Sequence, residues 1–130
     1  MLLFYELKEK IFNADVLKDK AIIIFTCLSI IINVLVWYFL YIQIPVVLES
    51  TSSDIIPLHY NIYFGIDYIG EIQKLYSLPA LGLIILAINV ILIFFLYLKT
   101  KLLTYYLAFF SMTNQMILLL CVYLIVLFNK

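Results

Sequence analysis

The chain has 130 residues, 67% of them apolar and only 12% charged, with a formal net charge of zero. This composition excludes a water-soluble globule, in which about a quarter of the residues carry charge. The lack of arginine and of any basic cluster excludes a nucleic-acid binder.

In chain order, the first element is the segment 1–20. Leu3, Phe4, Leu7 and Ile11 fall at helical spacing among Glu6, Lys8, Glu9 and Lys10, the pattern of an amphipathic helix lying in the membrane interface, with a break at Asn13 to Asp15. The run Ala21 to Ile42 follows, without Asp, Glu, Lys or Arg and close to the ~20 residues that cross a ~30 Å hydrocarbon core. In hydrocarbon its backbone amides must find partners within the segment, so the run is predicted to be a helix whatever the β propensity of its isoleucines. It is too long for a signal peptide and no small-x-small cleavage pattern follows Ile42, so it is expected to stay as an anchor.

The connection 43–78 is long for so small a protein and too hydrophobic for disorder. Leu58, Tyr60, Ile62 and Phe64 alternate with His59, Asn61 and Tyr63, which predicts a short extended segment. Gly65 permits a turn, and Ile66, Ile69, Ile72 and Tyr76 are spaced as one face of a short interfacial helix despite Gly70. His59, with Asp54, Asp67 and Glu71, is the one cluster suited to metal or acid–base chemistry. A single histidine among scattered carboxylates falls short of three or four convergent ligands, so no metal, cofactor or catalytic residue is expected.

The residues Ile56-Pro57-Leu58-His59-Tyr60-Asn61, then Gly65, Asp67 and Gly70 and a proline-led second span, resemble the N-terminal module of the SdpI-like bacterial immunity proteins. In that family a first membrane helix precedes an outer loop reading approximately P-x-H-[FYW]-N-x-x-G-x-x-D. Pro57, His59, Tyr60, Asn61 and Asp67 fall at the matching spacing, Gly65 comes one residue late, and Glu71 stands where the family often has lysine. The resemblance covers Ala21 to Leu98. It implies a non-enzymatic protein of the bacterial cell membrane that protects its host from a secreted membrane-active peptide, with the loop around His59, Asn61 and Asp67 as the recognition surface.

Pro79 to Leu98 form the second predicted span, with Pro79 in its first turn, where the missing N–H costs nothing, and Ser77 as a cap. Gly82 and Ala87 would allow a neighbouring helix to approach closely. A turn, 99–104, leads to the third span, Tyr105 to Phe128. No GxxxG motif points to a dimer, so the oligomeric state stays open. Cys27 and Cys121 lie within spans and read as small packing residues.

Within the spans the amides are the informative residues, because an unpaired polar group in hydrocarbon is costly. Asn33, Asn89 and the pair Asn114 and Gln115 lie near the middle of their runs; Thr26, Ser29, Asn33 and Trp37 share one face, and Ser111, Asn114 and Gln115 another. Asn33, Asn89 and one of Asn114 or Gln115 are therefore expected to bond and fix the register of a three-helix bundle. No Asp, Glu, His, Lys or Arg lies within the runs, which argues against a conduction pathway.

Lys8, Lys10, Lys18 and Lys20 precede the first run and Lys99 and Lys101 fill the second turn, whereas the long loop holds only Lys74. The positive-inside rule then predicts a cytoplasmic N-terminus, an outer 43–78 loop and an extracytoplasmic C-terminus. Trp37, Tyr38 and Tyr41 at one level and Tyr97, Tyr105 and Tyr106 at the other mark the two interfaces. The expected fold class is an all-α membrane protein in direct contact with the lipid bilayer. Two functional readings remain: a binding or immunity module whose loop meets a secreted peptide or membrane protein partner, and an accessory subunit packed against a larger membrane complex.

Overall fold

A computed structural model describes residues 15–63 and 65–129, without the side chains of Tyr60, Asn61 and Asp67. The amphipathic segment expected around Leu3, Phe4, Leu7 and Ile11 lies outside the described residues. Three long helices, α1 (Lys20–Thr51), α2 (Ser77–Leu96) and α3 (Lys101–Phe128), surround a common seam, and an antiparallel hairpin of β1 (Ile55–Asn61) and β2 (Gly65–Glu71) joins α1 to α2. A 3-10 turn, Val16–Lys18, precedes α1, and another, Ile72–Tyr76, leads into α2.

All three helices are long and apolar enough to cross a membrane. Their outer faces explain why hydrocarbon must surround them: Ile31, Val34, Ile84, Ile91, Phe110 and Leu120 are all exposed. What each helix buries is a narrow stripe. On α1 it runs Ile22, Ser29, Asn33, Val36, Leu40, Ile44 and Val47, and on α3 Thr104, Ala108, Ser111, Gln115, Val122 and Val126, both in steps that sum to helical turns. In the half of the seam nearer Val16, the small side chains of Ser29, Thr104, Ala108 and Ser111 let the backbones approach between larger residues such as Ile22, Ile93 and Tyr97; branched residues fill the other half. Cys27 and Cys121, expected to pack, are both exposed, and so is Ala87.

The first helix does not stop at Ile42. It continues through Pro45 to Thr51, nine residues that the sequence reading assigned to the loop. Proline in a helix interior removes one backbone bond, but Pro45 itself is exposed while Ile44 and Val47, on its flanks, are buried against the hairpin, so packing carries the helix across the break. Ser52 ends it in the left-handed conformation, φ 52°, donating its N–H to Leu48 O at 3.1 Å. Counted from Lys20 at 1.5 Å per residue, α1 is about 48 Å long, so its last turns stand clear of a ~30 Å core.

The extended reading of the loop holds for β1, but the helix expected over Ile66 to Tyr76 is instead β2 followed by a 3-10 turn. Gly65, at φ +76°, reverses the chain after Tyr63 and so delivers the following residues as a paired strand. A Cβ at Gly70 would sit 2.7 Å from Leu58 Cδ1, so the glycine that weakens a helix is also what lets the strands close. The pairing runs from Ile55 opposite Glu71 to Asn61 opposite Gly65, with irregular register on either side of His59.

The hairpin completes the bundle where α2 is too short. Ile56 from β1 and Ile72 and Leu75 from the second 3-10 turn pack with Val36, Leu40, Ile44 and Val47 of α1 and Val122 and Val126 of α3. A second cluster at the opposite end joins Val16, Ile22, Ile93, Tyr97 and Ala108.

Candidate functional site

One polar layer ties all three helices together within the apolar interior. Asn33 Nδ2 donates to Gln115 Oε1 and to the carbonyl of Pro79, each at 3.0 Å, and Gln115 Nε2 donates to the carbonyl of Gly82 at 2.8 Å. Both amides are buried, at 1% and 0% exposure. Gly82 makes room for them: a Cβ there would lie 2.6 Å from Leu118 Cδ1, 2.8 Å from Gln115 Oε1 and 2.9 Å from Asn33 Nδ2. Pro79 is buried in the first turn of α2 as expected, but Ser77 is not its cap. The 3-10 turn runs straight into α2, the Ser77 N–H bonds carbonyls of that turn, and Ser77 Oγ donates to Lys74 O at 2.6 Å.

The expected amide cluster therefore forms with Gln115 and not Asn114, and Asn89 is not part of it. Asn89 donates to Ser111 Oγ at 2.8 Å, in a separate contact between α2 and α3 nearer the Val16 end. The displacement follows from α2 beginning at Ser77: Asn33 meets its first turns, and Asn89 lies about two turns further along. Asn114 Nδ2 and Asn33 Oδ1 are buried without a hydrogen-bond partner.

A second tie closes the end near Val16. Asp19 Oδ1 accepts the N–H groups of Ala21 and Ile22 at 3.2 and 3.4 Å, capping α1. Its Oδ2 accepts the hydroxyls of Tyr105 at 2.7 Å and Tyr97 at 3.1 Å, so one carboxylate joins the start of α1, the end of α2 and the first turns of α3. The Tyr105 hydrogen bond, helped by the backbone donors and Tyr97 against some desolvation, holds the Asp19 carboxyl below its ordinary value of 3.8. Burial, then the bond to Asp19, pushes the Tyr97 hydroxyl above its ordinary 10.0. The sequence carries a local signal for Asp19 as a cap, an acidic residue just ahead of an apolar helix, but none for its tyrosine partners.

The loop residues singled out in the sequence, Pro57, His59, Tyr60, Asn61, Gly65 and Asp67, all lie on the hairpin. Pro57 is half-buried and its carbonyl accepts Asn129 Nδ2 at 2.9 Å; the same nitrogen donates to Ile125 O at 2.8 Å, which fastens β1 to the end of α3. His59 is exposed and pairs across the hairpin with Tyr68. Beyond this anchored base the distal half is apolar and open: Ile62 and Tyr63 at the turn are each 89% exposed, and Ile66, Tyr68 and Ile69 are at least half exposed. Among the described residues no three His, Cys, Asp or Glu side chains gather to hold a metal. The chain matches no known family model, and no curated protein or solved structure matches it.

Proposed function

We propose that the protein is a non-enzymatic, multi-pass membrane module that holds its hairpin at the extracytoplasmic face as a recognition element for a secreted peptide or a protein partner, the role implied by its resemblance to SdpI-like immunity proteins. One observation carries the reading. The base of the hairpin is buried in the bundle at Ile56, 1% exposed, while its turn presents Ile62 and Tyr63 almost wholly to the surroundings. Large, mostly apolar side chains presented from a buried base mark contact surfaces. The sidedness is supported by charge: Lys18, Lys20, Lys99 and Lys101 gather at the Asp19 end, and Lys74 stands at the hairpin end.

The test is site-specific photo-crosslinking from position 62 in intact producing cells. The proposal expects a crosslinked species that disappears in a Tyr63→Ser, Ile69→Ser variant whose helical content is unchanged. No crosslink from position 62, with the same probe placed at the exposed positions 91 and 120 of α2 and α3 capturing one large stoichiometric membrane protein, would establish the accessory-subunit reading in its place.

A further inference from the structure

At the Asp19 end, a cleft of about 740 Å³ opens among Asp15, Lys18, Asp19, Tyr97, Lys99 and Lys101. Its charges are unevenly matched. Asp19 is covered by two backbone N–H groups and two tyrosine hydroxyls, and Lys18 lies 3.5 Å from Asp15 in the one ion pair among the described residues. Among the described residues, Lys99 and Lys101 have no carboxylate partner. The Lys101 ammonium is held 5.2 Å from the Tyr97 ring centroid, which keeps it over the cleft.

The 3-10 turn Val16–Lys18 stands between this cleft and a second groove of about 230 Å³, apolar apart from Thr26. Val16 and Leu17 of the turn, Ile23 and Cys27 of α1, and Val90 and Phe94 of α2 line it. The spans begin or end at this level, so the cleft lies at headgroup depth and the groove at the depth of acyl chains. We infer that this end of the protein binds one anionic phospholipid, its headgroup phosphate on Lys99 and Lys101 and an acyl chain in the groove between α1 and α2. The unpaired ammonium groups select a negative headgroup over a zwitterionic one, since a choline would meet them with like charge. The neighbouring groove selects a lipid over a phosphate in solution, which would gain nothing from it.

The experiment uses the full chain in nanodiscs of equal phosphatidylglycerol and phosphatidylcholine, followed by native mass spectrometry of the lipids retained after release into mild detergent. Phosphatidylglycerol is expected to be retained preferentially, with the preference falling about fivefold for each of Lys99→Gln and Lys101→Gln. Lys74→Gln, which removes the same charge at the hairpin end, should leave it intact, as should the pair Lys99→Arg, Lys101→Arg. Cys27→Trp fills the groove and touches no charge, and it should lower lipid retention even if the glutamine variants misfold. Equal retention of both lipids by the unmodified protein would overturn the inference, as would a Lys74→Gln effect matching Lys99→Gln. Displacement of the lipid by inorganic phosphate alone, with Cys27→Trp silent, would reassign the site to a soluble anion and overturn it equally.

Discussion

At the level of Gly82 two neutral amides join three helices, and at the Asp19 end a single carboxylate joins the same three. The two ties differ in depth, and depth decides their chemistry. Gly82 lies about 20 Å along α2 from its end at Leu96, within hydrocarbon, where a charge costs several kcal/mol but an amide can be satisfied by carbonyl oxygens of a neighbouring helix. Asp19 caps the start of α1, at the interface, where a carboxylate keeps part of its hydration and still collects four donors. The deep tie therefore depends on space and the shallow one on charge, and each should fail to a different perturbation.

The deep tie should fail to volume. Gly82→Val places methyl groups where the ends of Asn33, Gln115 and Leu118 now sit, so the layer must part or the side chains must leave their partners. Overpacking and the loss of two or three interhelical hydrogen bonds together predict a destabilisation of about 3 kcal/mol, read as unfolding from bicelles by steric trapping. No change of pH should restore it. A loss below about 1 kcal/mol would mean that the amides are spectators of a seam held by packing alone.

The shallow tie should fail to acid. Asp19→Ala removes the cap of α1 and the acceptor of both tyrosines, for an expected loss of about 1 to 2 kcal/mol at neutral pH. Because the Asp19 carboxyl is held below 3.8, its contribution is present above that pH and disappears as pH falls through the depressed value. Tyr97, raised above 10.0, contributes below that pH and loses its bond to Asp19 as pH climbs past it. Unfolding measured from pH 2 to 7 should thus slope downward in acid for the unmodified protein, and the slope should flatten in Asp19→Ala. Equal slopes would remove Asp19 from the account.

These two ties were not equally legible in the sequence. The spans could be read because nothing but hydrocarbon tolerates such runs, and the Asn33 to Gln115 contact because amides at matched depth must meet something. Asn89 was placed wrongly because the count assumed three spans starting level, whereas the hairpin and the Ile72–Tyr76 turn replace the top of α2. The continuation of α1 past Pro45 and the strand at β2 both depend on Ile44, Val47, Ile56 and Ile72 packing together, a non-local fact that outweighs local proline and spacing signals. Asp19 lies 78 and 86 residues from its tyrosine partners, so capping could be read locally but the clamp could not. Tyr97 and Tyr105 looked like interfacial aromatics, which they also are.

The smallest expected effect concerns neither tie but the mount of the hairpin. Asn129 spends both hydrogens of one nitrogen, on Pro57 O and Ile125 O, so it links β1 to α3 without contributing to the three-helix seam. Asn129→Ala should leave the unfolding of the bundle unchanged and lower the local stability of the hairpin by about 0.5 to 1 kcal/mol, the net value of one such bond. Hydrogen exchange would show this as roughly two- to fivefold faster exchange of amides in β1 and β2, with those of α1 and α3 unaffected. If β1 exchanged at its original rate, burial of Ile56 alone would be the anchor. Faster exchange along α3 as well would mean that hairpin and bundle open as one unit, and the distinction between a rigid base and a presented turn would be lost.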